Sequence, residues 1–214
     1  MCAIFGSTER SKFISLYELN KDRGGYATTF SGIKNDTITT FKRKMFDIDN
    51  LYLEDWDYYL GHHQAPTSSV RKYSEKTSHP FNYGRWHVAH NGVLMNHKEV
   101  TEASDTREID TSYIPAFMEE LDLSPLGLSD KELLEETFSA FKGTHTCWVW
   151  DDKNSKIYLT KNGSTLFMDG ENFSSVEFEG SKSLLDGYVY SHHKGKGFIE
   201  LVQFTNSNPF AVFS

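Results

Sequence analysis

The second residue of the chain is a cysteine, and its position allows a particular kind of catalysis. Cys2 follows Met1, and trimming of Met1 leaves a cysteine with a free α-amino group. The pKa of such an amine is about 7.7–8.0, close to the thiol value of about 8.5. The amine can therefore accept the thiol proton near neutral pH, which gives the thiolate its own base. The alternative interpretation is that Cys2 packs as a small apolar residue at the start of a buried strand.

Five segments, taken in chain order, resemble the conserved stretches of the class II glutamine amidotransferases, which are N-terminal-nucleophile hydrolases. These segments are residues 2–6 (CAIFG), 23–26 (RGGY), 61–67 (GHHQAPT), 79–81 with 88–97 (HPF and VAHNGVLMNH), and 110–112 (DTS). Residues 143–150, 158–164 and 173–175 resemble the strands of the family's second half. The resemblance implies a single domain over residues 1–214 with an α+β fold, the four-layer αββα sandwich.

The pair Asn91-Gly92 has two interpretations. An Asn-Gly pair between apolar runs is a strong signal for a tight hairpin turn with positive φ angles. The resemblance instead places Asn91 and Gly92 in the oxyanion hole, where the Asn91 amide and the Gly92 N–H face the oxygen that becomes negative when Cys2 attacks. Both interpretations can hold, since a turn can present donors. Loss of one such donor typically costs about 3–4 kcal/mol of transition-state stabilisation.

The resemblance also assigns the remaining site residues. Asp110 binds the α-ammonium group of glutamine, and Thr67 and His90 belong to the substrate-binding set. The alternative for Asp110 is a helix N-cap, and Asp105-Thr106 offers a second Asp-Thr pair nearby. Arg23 braces the region of the nucleophile, its alternative being an arginine that complements a helix dipole.

Gln64 departs from the family pattern, because relatives carry an arginine there that binds the substrate α-carboxylate. Glutamine can donate N–H bonds, but it lacks the charge and the two-pronged geometry of a guanidinium. Three readings stay open: weaker glutamine binding, compensation by Arg71 or Arg85, or a substrate other than free glutamine.

Several other classes of function find little support. The net charge of −8 argues against binding nucleic acid through bulk charge, and no apolar run approaches the roughly 20 residues of a membrane helix. The start of the chain lacks the features of a secretory signal. The two cysteines, Cys2 and Cys147, are too few for a disulfide framework. We therefore expect a cytoplasmic protein. The histidines show no metal-ligand spacing, so neither a metal nor a cofactor is expected, and Cys147 is expected to pack in the core.

The order of predicted elements favours α+β architecture over a parallel βαβ array. Phe13, Leu16, Tyr17 and Asn20 recur at helical spacing, and Gly24-Gly25 is expected to end that helix. Two more helices are predicted over 111–121 and 130–141, and Ser129 is expected to cap the second of these. Strands are predicted over residues 2–5, 26–33, 37–41, 60–65, 86–90, 145–151, 157–160, 166–168, 188–191 and 198–204. The second and third of these are separated by Lys34-Asn35-Asp36 and are expected to form a hairpin.

These inferences together predict an enzyme that hydrolyses the glutamine side-chain amide to glutamate and ammonia. Relatives usually fuse this domain to a synthase that consumes the ammonia, and a chain ending at Ser214 leaves no room for one. We therefore expect a separate acceptor enzyme. Two rivals are a γ-glutamyl amide hydrolase that acts on a larger conjugate and an inactive interaction module of the same fold, in which Met1 is retained.

Overall fold

Two antiparallel sheets lie face to face, with helices on both outer sides, in a computed structural model that describes residues 1–44, 53–66, 72–101 and 109–205. Within these ranges the strands of sheet A, in their lateral order, are β11 (Lys182–Ser183), β9 (Phe167–Asp169), β10 (Asn172–Ser174), β1 (Ala3–Ser7), β4 (Tyr58–Gln64), β2 (Ala27–Lys34) and β3 (Thr37–Lys44). Those of sheet B are β13 (Gly197–Gln203), β12 (Tyr188–His193), β8 (Lys156–Asn162), β7 (Gly143–Asp151), β6 (Trp86–Leu94) and β5 (Phe81–Tyr83).

The helices of the described ranges are α1 (Arg10–Asn20), α2 (His97–Val100), α3 (Tyr113–Asp122) and α4 (Asp130–Ala140). Short 3₁₀ turns lie at Lys21–Arg23, Glu75–Thr77 and Asp110–Ser112. None of the helices in the described part of the chain combines the length and the apolar character needed to cross a membrane.

The alternation of side chains along each strand produces three apolar layers. In β1, Phe5 faces α1, while its neighbour Ile4 enters the core between the sheets. In β7, Cys147 faces the α3 and α4 side, while Trp148 faces the other sheet. The order is therefore helix, sheet, sheet, helix, which confirms the predicted αββα sandwich.

Local signals in the sequence predicted several elements correctly. Ser129 caps α4 in a capping box with Glu132. The β2–β3 hairpin turns at Asn35 and Asp36, both at positive φ. The apolar stripe of α1 is buried as predicted.

The hairpin-turn interpretation of Asn91-Gly92 is wrong. Both residues lie inside β6, where Asn91 pairs with Thr146 and Gly92 with His145 of β7. The ladder continues to Leu94, since β7 supplies partners along the whole length of β6. Asn91 and Gly92 therefore belong to a strand of sheet B that faces sheet A.

Candidate active site

Cys2 lies immediately before β1, next to the end of β4. The N–H of Ala65, which follows β4, donates to the Cys2 Sγ at 3.4 Å. Burial raises the pKa of the Cys2 thiol, and the Ala65 N–H, the N-terminal charge and Arg23 oppose this rise, while Asp110 adds to it. The thiol therefore needs a base in order to ionise near neutral pH, and it lies within the electrostatic reach of both Arg23 and Asp110.

Asn91 lies on the side of β6 that faces sheet A. Ala89, two residues earlier, packs in the core between the sheets together with Ile4 of β1, and residues two apart share a strand face. The Asn91 Nδ2 donates to the Ser175 Oγ at 3.4 Å, and the same oxygen accepts the N–H of Ile4 at 3.0 Å. One hydroxyl thus connects the strand of the nucleophile to the predicted oxyanion donor.

Gly92 adopts a backbone conformation that other residues rarely reach, with φ at +150°. A Cβ at this position would lie 2.0 Å from the Thr144 carbonyl oxygen and 2.7 Å from the His90 Nε2. A side chain at this position would displace both of these neighbours.

Arg23 ends the 3₁₀ turn that follows α1, and its guanidinium points toward the start of the chain. Its Nη1 donates to the Ser175 carbonyl at 2.8 Å and to the Thr165 Oγ1 at 3.0 Å. Its Nη2 lies 3.7 Å from the Met1 Sδ. Burial lowers the pKa of Arg23, and the proximity of Cys2 opposes that effect. The predicted bracing role has matching geometry, through Ser175 and the N-terminus.

Asp110 begins the 3₁₀ turn before α3 and is the cap residue of neither element, since Ile109 precedes the turn and Ser112 precedes α3. One carboxylate oxygen accepts the N–H of Leu94 at 3.0 Å, and the other accepts the N–H of Thr111 at 2.8 Å. These bonds tie the carboxylate to the end of β6. Each oxygen retains acceptor capacity for a further donor.

His90 lies on the opposite side of β6 from Asn91 and is buried under the helix layer. Its Nε2 bonds to the Thr144 carbonyl oxygen at 3.2 Å. Because a carbonyl oxygen can only accept, the proton of the neutral His90 ring lies on Nε2. Nδ1 then accepts from the Thr111 hydroxyl at 3.0 Å, and that hydroxyl accepts from the His79 Nε2 at 2.8 Å. His90 therefore supports the residue next to Asp110. The prediction that His90 binds substrate directly stays a prediction.

The neighbouring histidines are neutral at physiological pH. Burial lowers the pKa of His62 to about 3. Burial also holds the pKa of His79 well below its ordinary value and lowers the pKa of His90. His62 bonds to the His90 carbonyl at 3.1 Å and stacks on His79 at 4.0 Å between ring centroids. In the described ranges, no group of three or more histidine, cysteine or acidic side chains is arranged to hold a metal ion.

Gln64 is buried at the end of β4, on the strand face that also carries His62. Its Nε2 donates to the Thr77 carbonyl at 3.0 Å, and its Oε1 has no hydrogen-bond partner among the described residues. Arg85 does not compensate for the missing charge, since its guanidinium binds Asp122, Asp130 and Asp151. Arg71, Thr67 and the pair Asp105-Thr106 lie outside the described residues.

Reasoning from the sequence missed two residues of this site. The sequence predicts only a strand at Ser175, because nothing in a Ser-Ser pair reveals which hydroxyl faces the nucleophile. Thr111 was noted only as the neighbour of Asp110, although its hydroxyl links His79 to His90. Predicted alternation along β6 could have shown that His90 and Asn91 face opposite sides.

The sequence of this chain is similar to that of known proteins. Over 196 residues the sequence is 30% identical to glutamine–fructose-6-phosphate aminotransferase (isomerizing) of Staphylococcus aureus strain N315, an alignment that takes in 82% of this chain and 32% of that protein. The corresponding protein of Listeria monocytogenes is 28% identical over 191 residues, covering 82% of this chain and 31% of that protein. The chain belongs to the class II glutamine amidotransferase family. It spans about a third of the length of these curated relatives.

Solved structures show the same fold as this amidotransferase. The glutamine phosphoribosylpyrophosphate amidotransferase of Bacillus subtilis, complexed with ADP and GMP, superposes with a TM-score of 0.69 at 16% identity, over 95% of this chain and 49% of that one. A predicted glutamine amidotransferase of Pseudomonas aeruginosa gives a TM-score of 0.56 at 13% identity, over 94% and 95% of the two chains. No protein-family profile matches the sequence.

Proposed function

We propose that this amidotransferase hydrolyses the side-chain amide of glutamine, with Cys2 as the nucleophile after Met1 is removed. The observation that carries the proposal is the position of Cys2: its thiol accepts the Ala65 N–H beside the end of β4, and the strand that follows it is connected to Asn91 through the Ser175 hydroxyl at Ile4. Met1 is largely exposed, so its removal disturbs little packing.

The proposed reaction has two halves. The α-amine of the mature first residue takes the Cys2 thiol proton, and the thiolate attacks the amide carbon. The Asn91 amide and the Gly92 N–H stabilise the resulting oxyanion. The carbon–nitrogen bond then breaks, ammonia leaves with the proton held by the amine, and a γ-glutamyl thioester remains. Water, deprotonated by the same amine, hydrolyses the thioester to glutamate and restores the thiol.

Substrate binding follows from the charges around this position. Asp110 is held by two backbone N–H groups and is proposed to bind the α-ammonium of glutamine. We propose that His90 belongs to this substrate site, where it holds Thr111 beside Asp110. Gln64 has one amide N–H left for the α-carboxylate, since the other donates to Thr77.

The neutral Gln64 also favours a second candidate function, hydrolysis of a larger γ-glutamyl conjugate. A hydrogen bond to a charged group contributes about 1.5–3 kcal/mol, against about 1 kcal/mol for a neutral pair. Gln64→Arg is therefore expected to lower KM for glutamine roughly fivefold if the substrate is free glutamine.

The experiment compares ammonia and glutamate release from glutamine with the cleavage of γ-glutamyl anilides, for wild type and Gln64→Arg. Glutamine as the better substrate, with equimolar glutamate and ammonia, supports the proposal. A wild type that prefers the anilide by tenfold or more, or a Gln64→Arg variant with a raised KM for glutamine, supports the conjugate hydrolase instead.

We further propose that the released ammonia is used by a separate acceptor enzyme. The curated relatives are named as aminotransferases that act on glutamine and fructose 6-phosphate. The fold also occurs in solved chains that it fills almost entirely, at 95% and 99% of their length. Co-purification of an ammonia-dependent synthase tests this, and its absence from complexes formed by the active enzyme counts against it.

A further inference from the structure

The structure assigns to Ser175 a positioning role in this reaction: its side-chain oxygen sets the strand of the nucleophile against the amide of Asn91. This role rests on the proposed function. Ser175 is buried, with 1% of its surface exposed, and it follows β10 directly.

The hydroxyl of Ser175 replaces a backbone group in the ladder between β1 and β10. These strands pair Phe5 with Ser174, so the next pair in register is Ile4 with Ser175. The N–H of Ser175 donates to the Ile4 carbonyl at 2.9 Å, as an antiparallel ladder requires. The reciprocal bond runs from the Ile4 N–H to the Ser175 Oγ at 3.0 Å instead of to the carbonyl.

Because the side chain takes this bond, the Ser175 carbonyl is left to accept hydrogen bonds from other donors. The carbonyl accepts from the Arg23 Nη1 and from the Thr165 Oγ1, each at 2.8 Å. Ser175 therefore binds both the backbone of Ile4, two positions after the nucleophile, and the Arg23 guanidinium next to the start of the chain.

The same hydroxyl oxygen also orients Asn91. An asparagine amide carries two N–H donors, and the bond to the Ser175 Oγ at 3.4 Å engages one of them. The amide nitrogen is thereby turned toward β1, and its second N–H is left for the oxyanion. Ile4 and Asn91 share the Ser175 Oγ as their acceptor. A shift of β1 or β6 therefore changes the distance between the Cys2 thiolate and the Asn91 amide.

Ser174 provides a matched control on the neighbouring position. It is equally buried, and its hydroxyl also accepts two bonds, from the Asn20 Nδ2 at 2.8 Å and from the Val176 N–H at 3.0 Å. Asn20 belongs to α1, and Val176 follows β10. Ser174→Ala therefore removes as many hydrogen bonds as Ser175→Ala without touching Ile4 or Asn91.

The experiment measures kcat and KM for glutamine and the urea midpoint for Ser175→Ala, Ser174→Ala, Asn91→Ala and the double variant Asn91→Ala/Ser175→Ala. Complete loss of an oxyanion donor costs about 10²–10³ in kcat, so its displacement in Ser175→Ala is expected to lower kcat about tenfold with KM within about twofold. Ser174→Ala is expected to keep kcat within about twofold at a similar loss of stability. In the double variant, the second substitution is expected to add no further loss, because Ser175 acts through Asn91.

Three results would overturn the role while leaving the proposed function intact. These are an active wild type whose Ser175→Ala variant keeps full kcat, equal kcat losses in the two serine variants, and full additivity in the double variant. A wild type lacking Met1 that releases no ammonia overturns the proposed function, and this role with it. If Ser175→Ala does not fold, Ser175→Cys fills the site but replaces the hydroxyl oxygen by a much weaker acceptor. This variant is expected to lower kcat with KM little changed, and full kcat in it likewise contradicts the role.

Discussion

At the scale of single residues, Gly92 shows how backbone conformation and the proposed chemistry depend on each other. Its φ of +150° lies in a region that favours glycine, and a Cβ would collide with the backbone of Thr144. A donor N–H at this position is therefore available only because the residue has no side chain. The turn signal of Asn-Gly comes from residue type alone, since in β6 only Gly92 has a positive φ and Asn91 does not.

We predict that Gly92→Ala lowers kcat by about 10²-fold or more, since the backbone must move and the N–H moves with it. Gly127→Ala is the matched control, because Gly127 also has a positive φ, at +61°, yet has nothing within 4 Å of the position of its Cβ. The control is expected to cost about 1–2 kcal/mol of stability and no activity. Steady-state kinetics and urea unfolding of both variants check this, and an active Gly92→Ala variant would remove Gly92 from the oxyanion hole.

At the scale of elements, Arg85 fastens the helix layer to the end of sheet B. It precedes β6, and its guanidinium binds Asp122 of α3, Asp130 of α4 and the fully buried Asp151 of β7 at 2.8–2.9 Å. The carboxylates raise the pKa of Arg85 despite its burial. Removal of the guanidinium would leave a buried carboxylate without its cation.

Arg85→Ala is accordingly predicted to destabilise the fold by about 3–5 kcal/mol, the range for breaking a buried ion pair. KM for glutamine is expected to stay within twofold, because Arg85 lies at the opposite end of β6 from Asn91. Lys34→Ala, which breaks an exposed pair with Asp55, serves as the control and is expected to change stability by less than about 1 kcal/mol. Urea unfolding measures both. A rise of KM in the folded Arg85→Ala variant would reinstate this residue as a substrate ligand.

The elements also show which features the sequence could predict. The Ser129 capping box and the Asn35-Asp36 turn depend on residues a few positions apart, so local pattern was sufficient. The extension of β6 through Asn91 to Leu94 depends on β7, about 50 residues later, and no local signal contains that partner. The same holds for Ser175, which meets Ile4 across 171 residues of sequence.

At the scale of the whole molecule, burial of neutral histidines makes stability depend on pH. Burial lowers the pKa of His145 to about 3, that of His62 to about 3 and that of His63 to about 4. In an unfolded chain the value is about 6.5. Below pH 6.5 the unfolded chain therefore binds protons that the folded chain does not, so stability falls as pH falls from about 6.5 toward the folded values.

For one such histidine the loss between pH 7.5 and pH 5.5 is about 1.4 kcal/mol. His145 stacks on Phe138 and packs at a tilt against Phe204, and neither ring nitrogen has a hydrogen-bond partner among the described residues. His145→Leu is therefore predicted to reduce the difference in unfolding free energy between the two pH values by about 1.4 kcal/mol. Urea titrations at both pH values test this, and an unchanged difference would mean that the ring is protonated in the folded chain.

The proposed reaction requires Cys2 as the mature first residue, and one measurement addresses this directly. Intact mass is recorded for wild type and Cys2→Ala before and after treatment with a diazoketone analogue of glutamine, alongside ammonia release. We predict a wild-type mass lacking Met1, one adduct that maps to Cys2, and neither adduct nor ammonia release in Cys2→Ala. An adduct on Cys147, or ammonia release that survives in Cys2→Ala, would contradict the account.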